Sequence, residues 1–277
     1  MDPIIGSEAI ASGALTRGEL RWRYTAIYPN VYVPKGSTPG PGAYAAAAWL
    51  WSGRRGIIAG LTAAARYGVP WIASTCPIEL IAPNSKCPEG VIVRNERIAV
   101  DEIRIIDGMP ITTAERTSLD LARHLELNIA VEHLDALAAI TGLHKDDVWY
   151  LEERYPTARG IISARQAIAL MDAGSGSRWE TRVRLMVQRL GGVPPPRTSI
   201  RVSDVIIAMG WPRWKVGIDC GPRPDDESDF LHRIGWTMVP ALPQHTRASI
   251  IARARTAVWA RAMPPSVRSA APRSGTA

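Results

Sequence analysis

Basic side chains with the spacing of a phosphate-contacting helix lie near the start of the chain. The segment from Thr16 to Tyr24 reads TRGELRWRY, and Thr16 and Glu19 have the spacing of a capping box. In such a box the threonine hydroxyl accepts a hydrogen bond from the glutamate backbone N–H, so a helix is predicted to begin here. The candidate DNA contacts on this helix and just after the following strand are Thr16, Arg17, Arg21, Arg23 and Lys35.

The elements around this helix have the order of a winged helix-turn-helix. A first helix capped by Ser7 and ended by Gly13 is predicted before it, and a strand at 31–33 after it. Leu20 and Tyr24 are four residues apart and would face inward, which leaves the arginines outward. Arginine binds phosphate through a planar fork of donors, although an exposed arginine is often only solvated. The pattern favours double-stranded DNA as the partner and leaves simple solvation as the alternative.

The charge of the chain is consistent with a polyanionic partner. The net charge is +7, and only four of the 33 basic residues are lysine. A GC-rich genome also favours arginine over lysine, but it does not explain the positive sum. No apolar run approaches the roughly 20 residues of a membrane helix, and the N-terminus lacks the regions of a signal peptide. We therefore expect a cytoplasmic protein with no membrane partner.

The spacing of cysteine and histidine predicts neither a disulfide framework nor a metal site. Cys76, Cys87 and Cys220 are odd in number and far apart in the sequence. His124 and His133 fall in predicted helices and lack a metal-ligand partner four residues later, so we interpret them as structural. These residues give no reason to expect a cofactor.

The chain is expected to be an α+β protein with several domains. Residues 1–38 are assigned to the winged helix-turn-helix, and residues 39–172 to a mixed α/β domain that ends in a helical stretch. The Gly/Ser-rich segment 173–177 has the composition of a linker, and residues 178–262 form a C-terminal α/β domain. Residues 263–277 show no periodicity and are predicted to be disordered.

Periodicity and turn residues predict the individual elements. Helices are predicted at 44–51, 61–67, 113–125, 129–140, 145–154, 162–171, 179–190 and, as a basic helix, 247–261. Strands are predicted at 78–82, 91–94, 103–106, 200–209, 214–220 and 236–239. The acids at 225–227 are predicted to lie in a solvated polar loop.

Three segments of residues 5–172 resemble a known family. They are GALTRGELRWRYTAIYPNVYVPKG, WLWSGRRGIIAGLTAAARYGVPW, and MPITTAERTSLDLARHL followed by AVEHLDALAA. Together they resemble AbiEi-type antitoxins and transcriptional regulators, in which the first segment belongs to a winged helix. The resemblance implies a DNA-binding regulator. It also implies a possible role as the antitoxin of a type IV toxin–antitoxin pair, whose partner would be a nucleotidyltransferase-type toxin.

The rest of the chain resembles a second family. The segments RWETRVRL, IIAMGWPRWKVGIDC and IGWTMV are similar to the very-short-patch-repair-like branch of the PD-(D/E)XK nuclease fold. The resemblance implies a truncated restriction-endonuclease-like domain in which carboxylates hold Mg²⁺ and a lysine orients the attacking water. The matching catalytic candidates are Glu180, Asp204, Lys215 and Asp219, and the candidate metal ligands are Asp204 and Asp219.

Two departures from the nuclease pattern predict that this domain is inactive. Aligned on the MGW that follows, the strand aspartate of the family falls on Ala208, whose methyl group cannot hold a cation. Asp204 precedes it on the expected strand by about 13 Å, at about 3.3 Å per residue, which is too far to replace that ligand. The segment between Asp219 and Gly235 is also shorter than in proteins of this type, and the helix usual there is expected to be lost.

Two functional hypotheses of different classes follow. The first is a non-catalytic DNA-binding transcriptional regulator that needs no cofactor, with Glu180, Lys215 and Asp219 as remnants of a nuclease site. The second is a Mg²⁺-dependent DNA endonuclease that uses the same residues. The first predicts salt-sensitive binding to DNA, and the second predicts nicking that stops with EDTA.

Overall fold

The chain divides into two compact units between Met171 and Asp172. A computed structural model describes residues 2–83 and 87–262 of the protein. Both units contain helices and sheets, so the predicted mixture of α and β structure is confirmed. The disorder predicted for residues 263–277 concerns a segment outside the described residues.

The first unit begins with two short helices and a small antiparallel sheet. The helices are α1 (Gly6–Ala11) and α2 (Arg17–Arg23), and the strands β1 (Ile4–Ile5), β2 (Tyr24–Tyr28) and β3 (Val31–Pro34) pair in the order β1-β3-β2. Asn30 has a φ of 62°, so the predicted turn before β3 closes a hairpin. The predicted cap of α1 is wrong, since α1 has no side-chain cap and the Ser7 backbone N–H donates to Asn30 Oδ1.

A five-stranded mixed sheet forms the centre of this unit. Its strands are β4 (Ile57–Ile58), β5 (Ile78–Ile81), β6 (Val91–Arg94), β7 (Ile103–Ile106) and β8 (Met109–Thr112), in the order β6-β5-β4-β8-β7. Helices α3 (Pro41–Trp51) and α4 (Gly60–Tyr67) pack beside it. Tyr28 and Val31 of the N-terminal sheet share one apolar core with Ile58, Leu80 and Ile111. Residues 1–38 therefore belong to the same compact unit as the region that follows them.

A helical stretch completes the first unit. It contains α5 (Ala114–His124), α6 (Leu127–Thr141), α7 (Trp149–Arg154) and α8 (Ile161–Ala169). As predicted, Thr113 caps α5, and its side chain accepts from the Arg116 backbone N–H at 3.3 Å. The helix predicted over 145–154 is instead a short 3₁₀ turn at Lys145–Asp147 followed by α7.

The second unit is a four-stranded sheet with helices. Its elements are α9 (Arg178–Val187), β9 (Arg197–Val202), β10 (Val205–Trp211), β11 (Val216–Asp219), α10 (Asp225–Arg233), β12 (Thr237–Pro240) and α11 (Arg247–Ala262). The strand order is β12-β11-β10-β9, antiparallel except for the β11–β12 pair. Val183, Met209, Ile218 and Ile250 contribute to a core that α9 and α11 share with the sheet.

Three predictions about this unit are wrong. The single strand predicted over 200–209 is a hairpin, in which Ser203 and Asp204 form a two-residue turn between β9 and β10. The acids at 225–227 were predicted to lie in a loop, but they form the first turn of α10. The helix that was expected to be lost after Asp219 is therefore present. The segment 173–177, predicted as a linker, directly follows the boundary between the units; in it Ser175 is buried, and Ser177 caps α9 by accepting from the Glu180 backbone N–H.

Candidate functional site

The surface of α2 presents basic side chains to solvent. Arg17, Arg21 and Arg23 on α2 and Lys35 after β3 are all exposed, whereas Leu20 of α2 is buried. Within the described part of the chain, none of these four side chains forms a hydrogen bond or a salt bridge. Their positive charges are therefore available to an external anion.

Thr16 has a structural role at the start of this helix. Its Oγ1 accepts from the Glu19 backbone N–H at 3.1 Å, and its own backbone N–H donates to Glu19 Oε2 at 2.8 Å. The predicted capping box is therefore present. The Thr16 hydroxyl also donates a hydrogen bond to the Glu19 carboxylate. Thr16 therefore stabilises the start of the helix that carries the arginines, and its hydroxyl already has partners within the chain.

Trp22 is a candidate contact that the sequence reasoning missed. It lies on α2 between two of the arginines, and 80% of its surface is exposed. Tryptophan usually buries most of its indole, and an exposed one beside positive charge is typical of a recognition surface. The signal was present in the sequence, because Trp22 falls off the inward face that Leu20 and Tyr24 define.

In the second unit, a cleft of about 360 Å³ gathers part of the predicted nuclease site. Glu180 enters it from α9, Ala208 from β10 and Asp219 from the end of β11. Arg223 and Glu227 complete its polar lining. Ala208, the residue aligned with the strand aspartate of the nuclease family, thus lies in the same cleft as Glu180 and Asp219. The cleft has no carboxylate at the position of Ala208.

An internal cation lies against the acids of this cleft. The Arg223 guanidinium donates to Asp219 Oδ1 from Nε at 3.0 Å and from Nη2 at 2.6 Å, and to Glu227 Oε2 from Nη1 at 2.6 Å. Hydrogen bonding to Asp219 raises the pKa of Arg223 further, so this side chain stays charged. Glu180 instead accepts from the Gly176 backbone N–H at 2.7 Å. The sequence reasoning missed Arg223 because its partners depend on the loop after β11.

Two predicted catalytic residues do not line the cleft. Asp204 is exposed in the β9–β10 turn, outside the strand on which a metal ligand was expected. Lys215 precedes β11, at the end opposite Asp219, and its Nζ donates to the Ile234 carbonyl at 2.8 Å. Of the four predicted catalytic residues, Glu180 and Asp219 therefore share the cleft, and Asp204 and Lys215 lie outside its lining.

Cys220 also lines the cleft, but it is not poised as a nucleophile. Burial, followed by the charges of Glu180 and Asp219, raises the pKa of Cys220 to about 12. A thiolate is the reactive form of cysteine, and little of it is present at neutral pH when the pKa is this high.

A buried charge network in the first unit connects α5 to the chain before it. Arg116, only 1% exposed, donates to Glu102 at 2.7 Å, to Asp120 at 3.0 Å and to Glu96 at 3.1 Å. Burial raises the pKa of Asp120 to about 6 in spite of Arg116, because that guanidinium is shared among three carboxylates. Burial also acts on Glu96, but the His124 ring and Arg123 outweigh it and lower the pKa of Glu96 to about 2.

No protein-family model matches the chain, and no curated protein matches it either. Among the described residues, no helix has both the length and the apolar character needed to cross a membrane. The two family resemblances therefore stay predictions, and a functional proposal has to rest on the surfaces of the chain itself.

Proposed function

We propose that this protein is a DNA-binding transcriptional regulator that contacts double-stranded DNA through α2 and the β2–β3 hairpin. The observation that carries the proposal is a set of four exposed basic side chains that form no hydrogen bond or salt bridge with the described residues, namely Arg17, Arg21, Arg23 and Lys35. In this proposal α2 acts as the recognition helix and the β2–β3 hairpin as the wing of a winged helix-turn-helix.

Phosphate neutralisation supplies the affinity in this proposal. Arginine forks suit phosphate oxygens, and each neutralised phosphate releases condensed counterions from the duplex. Trp22 lies among these arginines and offers apolar surface to base edges or sugars. The excess of positive charge over the whole chain, +7, attracts DNA to this surface.

Fluorescence anisotropy with a labelled duplex from the region upstream of the gene tests the proposal. We expect submicromolar binding at low salt, and a loss of at least tenfold in the double variant Arg17→Gln/Arg21→Gln. Arg159→Gln removes an exposed arginine elsewhere in the same unit and serves as the matched control. No binding by the unmodified protein to any duplex, specific or random, contradicts the proposal.

One observation favours a Mg²⁺-dependent endonuclease as a second candidate. Glu180 and Asp219 line a single cleft, as the resemblance to the nuclease fold implies. Against it stand Ala208, which offers no ligand, and Arg223, which already neutralises Asp219. A metal-dependent nuclease needs those carboxylates for the ion, since Mg²⁺ requires oxygen ligands at about 2 Å.

Cleavage assays separate the two candidates. Supercoiled and mismatched DNA are incubated with the protein and Mg²⁺ or Mn²⁺, with EDTA as the control. The regulator predicts no nicking above the level of an Asp219→Asn variant. Nicking that disappears both with EDTA and with Asp219→Asn establishes the endonuclease instead.

A further inference from the structure

Three possible metal ligands converge in the first unit, away from the residues assigned to DNA binding. Asp120 and His124 are four residues apart on α5 and therefore lie on the same face of the helix. Glu96 joins them from the segment after β6. One candidate ligand atom from each of the three residues lies within 4.8 Å of the other two.

The Asp120 carboxylate has one oxygen that needs a partner. The side chain is 1% exposed, and its Oδ1 accepts from Arg116 Nε at 3.0 Å. Among the described residues, no group donates a hydrogen bond to its buried Oδ2. Buried polar atoms are nearly always satisfied, and leaving a carboxylate oxygen unpaired costs free energy. This orphaned oxygen points to a missing cation or proton, independently of the clustering of the three residues.

The distance between His124 and Glu96 fits two ligands of one metal ion. Nε2 of His124 lies 3.2 Å from Oε1 of Glu96, close enough to help lower the pKa of Glu96, although the contact falls outside good hydrogen-bond geometry. Ligand atoms about 2.0–2.1 Å from a tetrahedral zinc ion lie about 3.3 Å from each other. The observed separation therefore matches a shared ion as well as it matches an ion pair.

We propose that Glu96, Asp120 and His124 form a binding site for a divalent transition-metal ion of the zinc type. One imidazole nitrogen and two carboxylate oxygens are ligands that Zn²⁺, Co²⁺ and Mn²⁺ accept. The two carboxylates balance the charge of the ion. Glu96 also borders a cleft of about 440 Å³, which leaves room for a water molecule as a further ligand.

Two arginines compete with the ion for these carboxylates, and their contacts leave specific atoms free. On Glu96, the closer donors bind Oε2, from Arg123 at 2.7 Å and from Arg116 at 3.1 Å. Among the described residues, Oε1 accepts one hydrogen bond, the longer Arg123 contact at 3.2 Å, and also lies 3.2 Å from His124 Nε2. The closest carboxylate to Arg116 is Glu102, at 2.7 Å, so an ion at Glu96 and Asp120 would leave Arg116 with this partner. The site therefore offers Glu96 Oε1, Asp120 Oδ2 and His124 Nε2, and removal of Arg123 strengthens it.

Titration of the full chain with Co²⁺ and Zn²⁺ tests the proposal. The protein is purified with EDTA and exchanged into metal-free buffer. Co²⁺ binding is then followed by its visible absorption, and Zn²⁺ binding by calorimetry. We expect one equivalent to bind, with an affinity at least tenfold lower in His124→Gln and in Asp120→Asn. His232→Gln changes an exposed histidine of the second unit and is expected to bind as the unmodified chain does.

Several variants are used so that the metal titration still gives an answer when one variant does not fold. Circular dichroism establishes folding, and Asp120→Asn retains the size and an acceptor oxygen of the original side chain. Arg123→Gln removes the competing cation and is expected to tighten Co²⁺ binding severalfold. Absence of binding at 100-fold excess of metal, or equal affinity in His124→Gln and Asp120→Asn, overturns the proposal. Because no DNA is present, the outcome is independent of DNA binding.

Discussion

Arg116 is the side chain on which the first unit depends most. It is almost fully buried and donates to Glu96, Glu102 and Asp120, and it also donates to the Arg97 carbonyl at 2.9 Å. These contacts fix α5 to the segment before β7. The residues that carry the AbiEi-type resemblance in this region therefore include a structural ion network, whatever the function of the protein.

Replacing Arg116 with methionine is expected to destabilise the first unit strongly. Removing one partner from a buried ion pair leaves charges without compensation, at a cost of about 3–5 kcal/mol. The free energy of unfolding in urea measures the effect. Arg165→Gln is the control, because Arg165 is 52% exposed where it contacts Glu152, and exposed pairs contribute at most about 1 kcal/mol. An Arg116→Met cost below 1 kcal/mol contradicts this account of the network.

Cys220 is expected to resist thiol reagents at mild pH. Its pKa is raised to about 12 from an ordinary value of 9.0 by burial and the nearby acids, and only the thiolate reacts. At pH 8 it therefore holds roughly a thousandfold less thiolate than an ordinary cysteine, and its reactivity appears only as the pH rises toward the shifted pKa. Cys87 is exposed and serves as the comparison. Equal rates for Cys220 and Cys87, measured in single-cysteine variants at pH 8, contradict the shift.

At the scale of the element, α2 depends on its capping box. Thr16→Ala removes the acceptor for the Glu19 backbone N–H and is expected to lower the free energy of unfolding by about 1 kcal/mol. Thr16→Ser keeps a hydroxyl and is expected to stay within 0.5 kcal/mol, roughly the difference among good caps. Urea unfolding measures both variants. A neutral Thr16→Ala shows that the box contributes nothing to this helix.

In the β9–β10 turn, a substitution is expected to increase the free energy of unfolding. Ser203 has a φ of 55°, and a positive φ at the first of two turn residues is the requirement of a type II′ turn, where glycine is favoured. Ser203→Gly is therefore expected to raise the free energy of unfolding by up to about 1 kcal/mol. Asp204→Gly lies at the second position, where φ is not positive, and should bring no gain. A Ser203→Gly variant that is less stable than the parent is inconsistent with this turn.

Local signals in the sequence predicted some elements well and others not at all. Thr113 and the apolar periodicity after it predicted α5, and Gly68, with a φ of 101°, ended α4 where expected. The β9–β10 hairpin was missed because its turn, Ser203-Asp204, contains no glycine or asparagine. Strand β4 has only two residues, too few for an alternation pattern.

How well each candidate site could be predicted depended on whether its residues lie close together in the sequence. The arginines of α2 follow from helical spacing alone, because the contacts that orient them are local. Glu180 and Asp219 were named through a family resemblance, and their convergence depends on three separate elements. The partner of Asp120 and His124, Glu96, lies more than twenty residues away, so no spacing rule along one helix identifies it.

At the scale of the whole molecule, the two units present different chemistry. The first unit has basic side chains on its surface that form no hydrogen bond or salt bridge within the described part of the chain. In the second unit, Arg223 is paired with Asp219 and Glu227, which line the cleft. We therefore propose that the first unit binds DNA and that the second has no catalytic activity, and we expect α2 and the residues beside it to govern the salt dependence of binding.

The salt dependence of DNA affinity, measured by anisotropy between about 50 and 200 mM KCl, tests this central claim most directly. Four phosphate contacts predict a slope of log K against log salt of about −3.6, or roughly a hundredfold loss of affinity over that range. The triple variant Arg17→Gln/Arg21→Gln/Arg23→Gln is predicted to bind with a slope of about −0.9. Salt-insensitive binding by the unmodified protein, or an unchanged slope in the triple variant, contradicts the account.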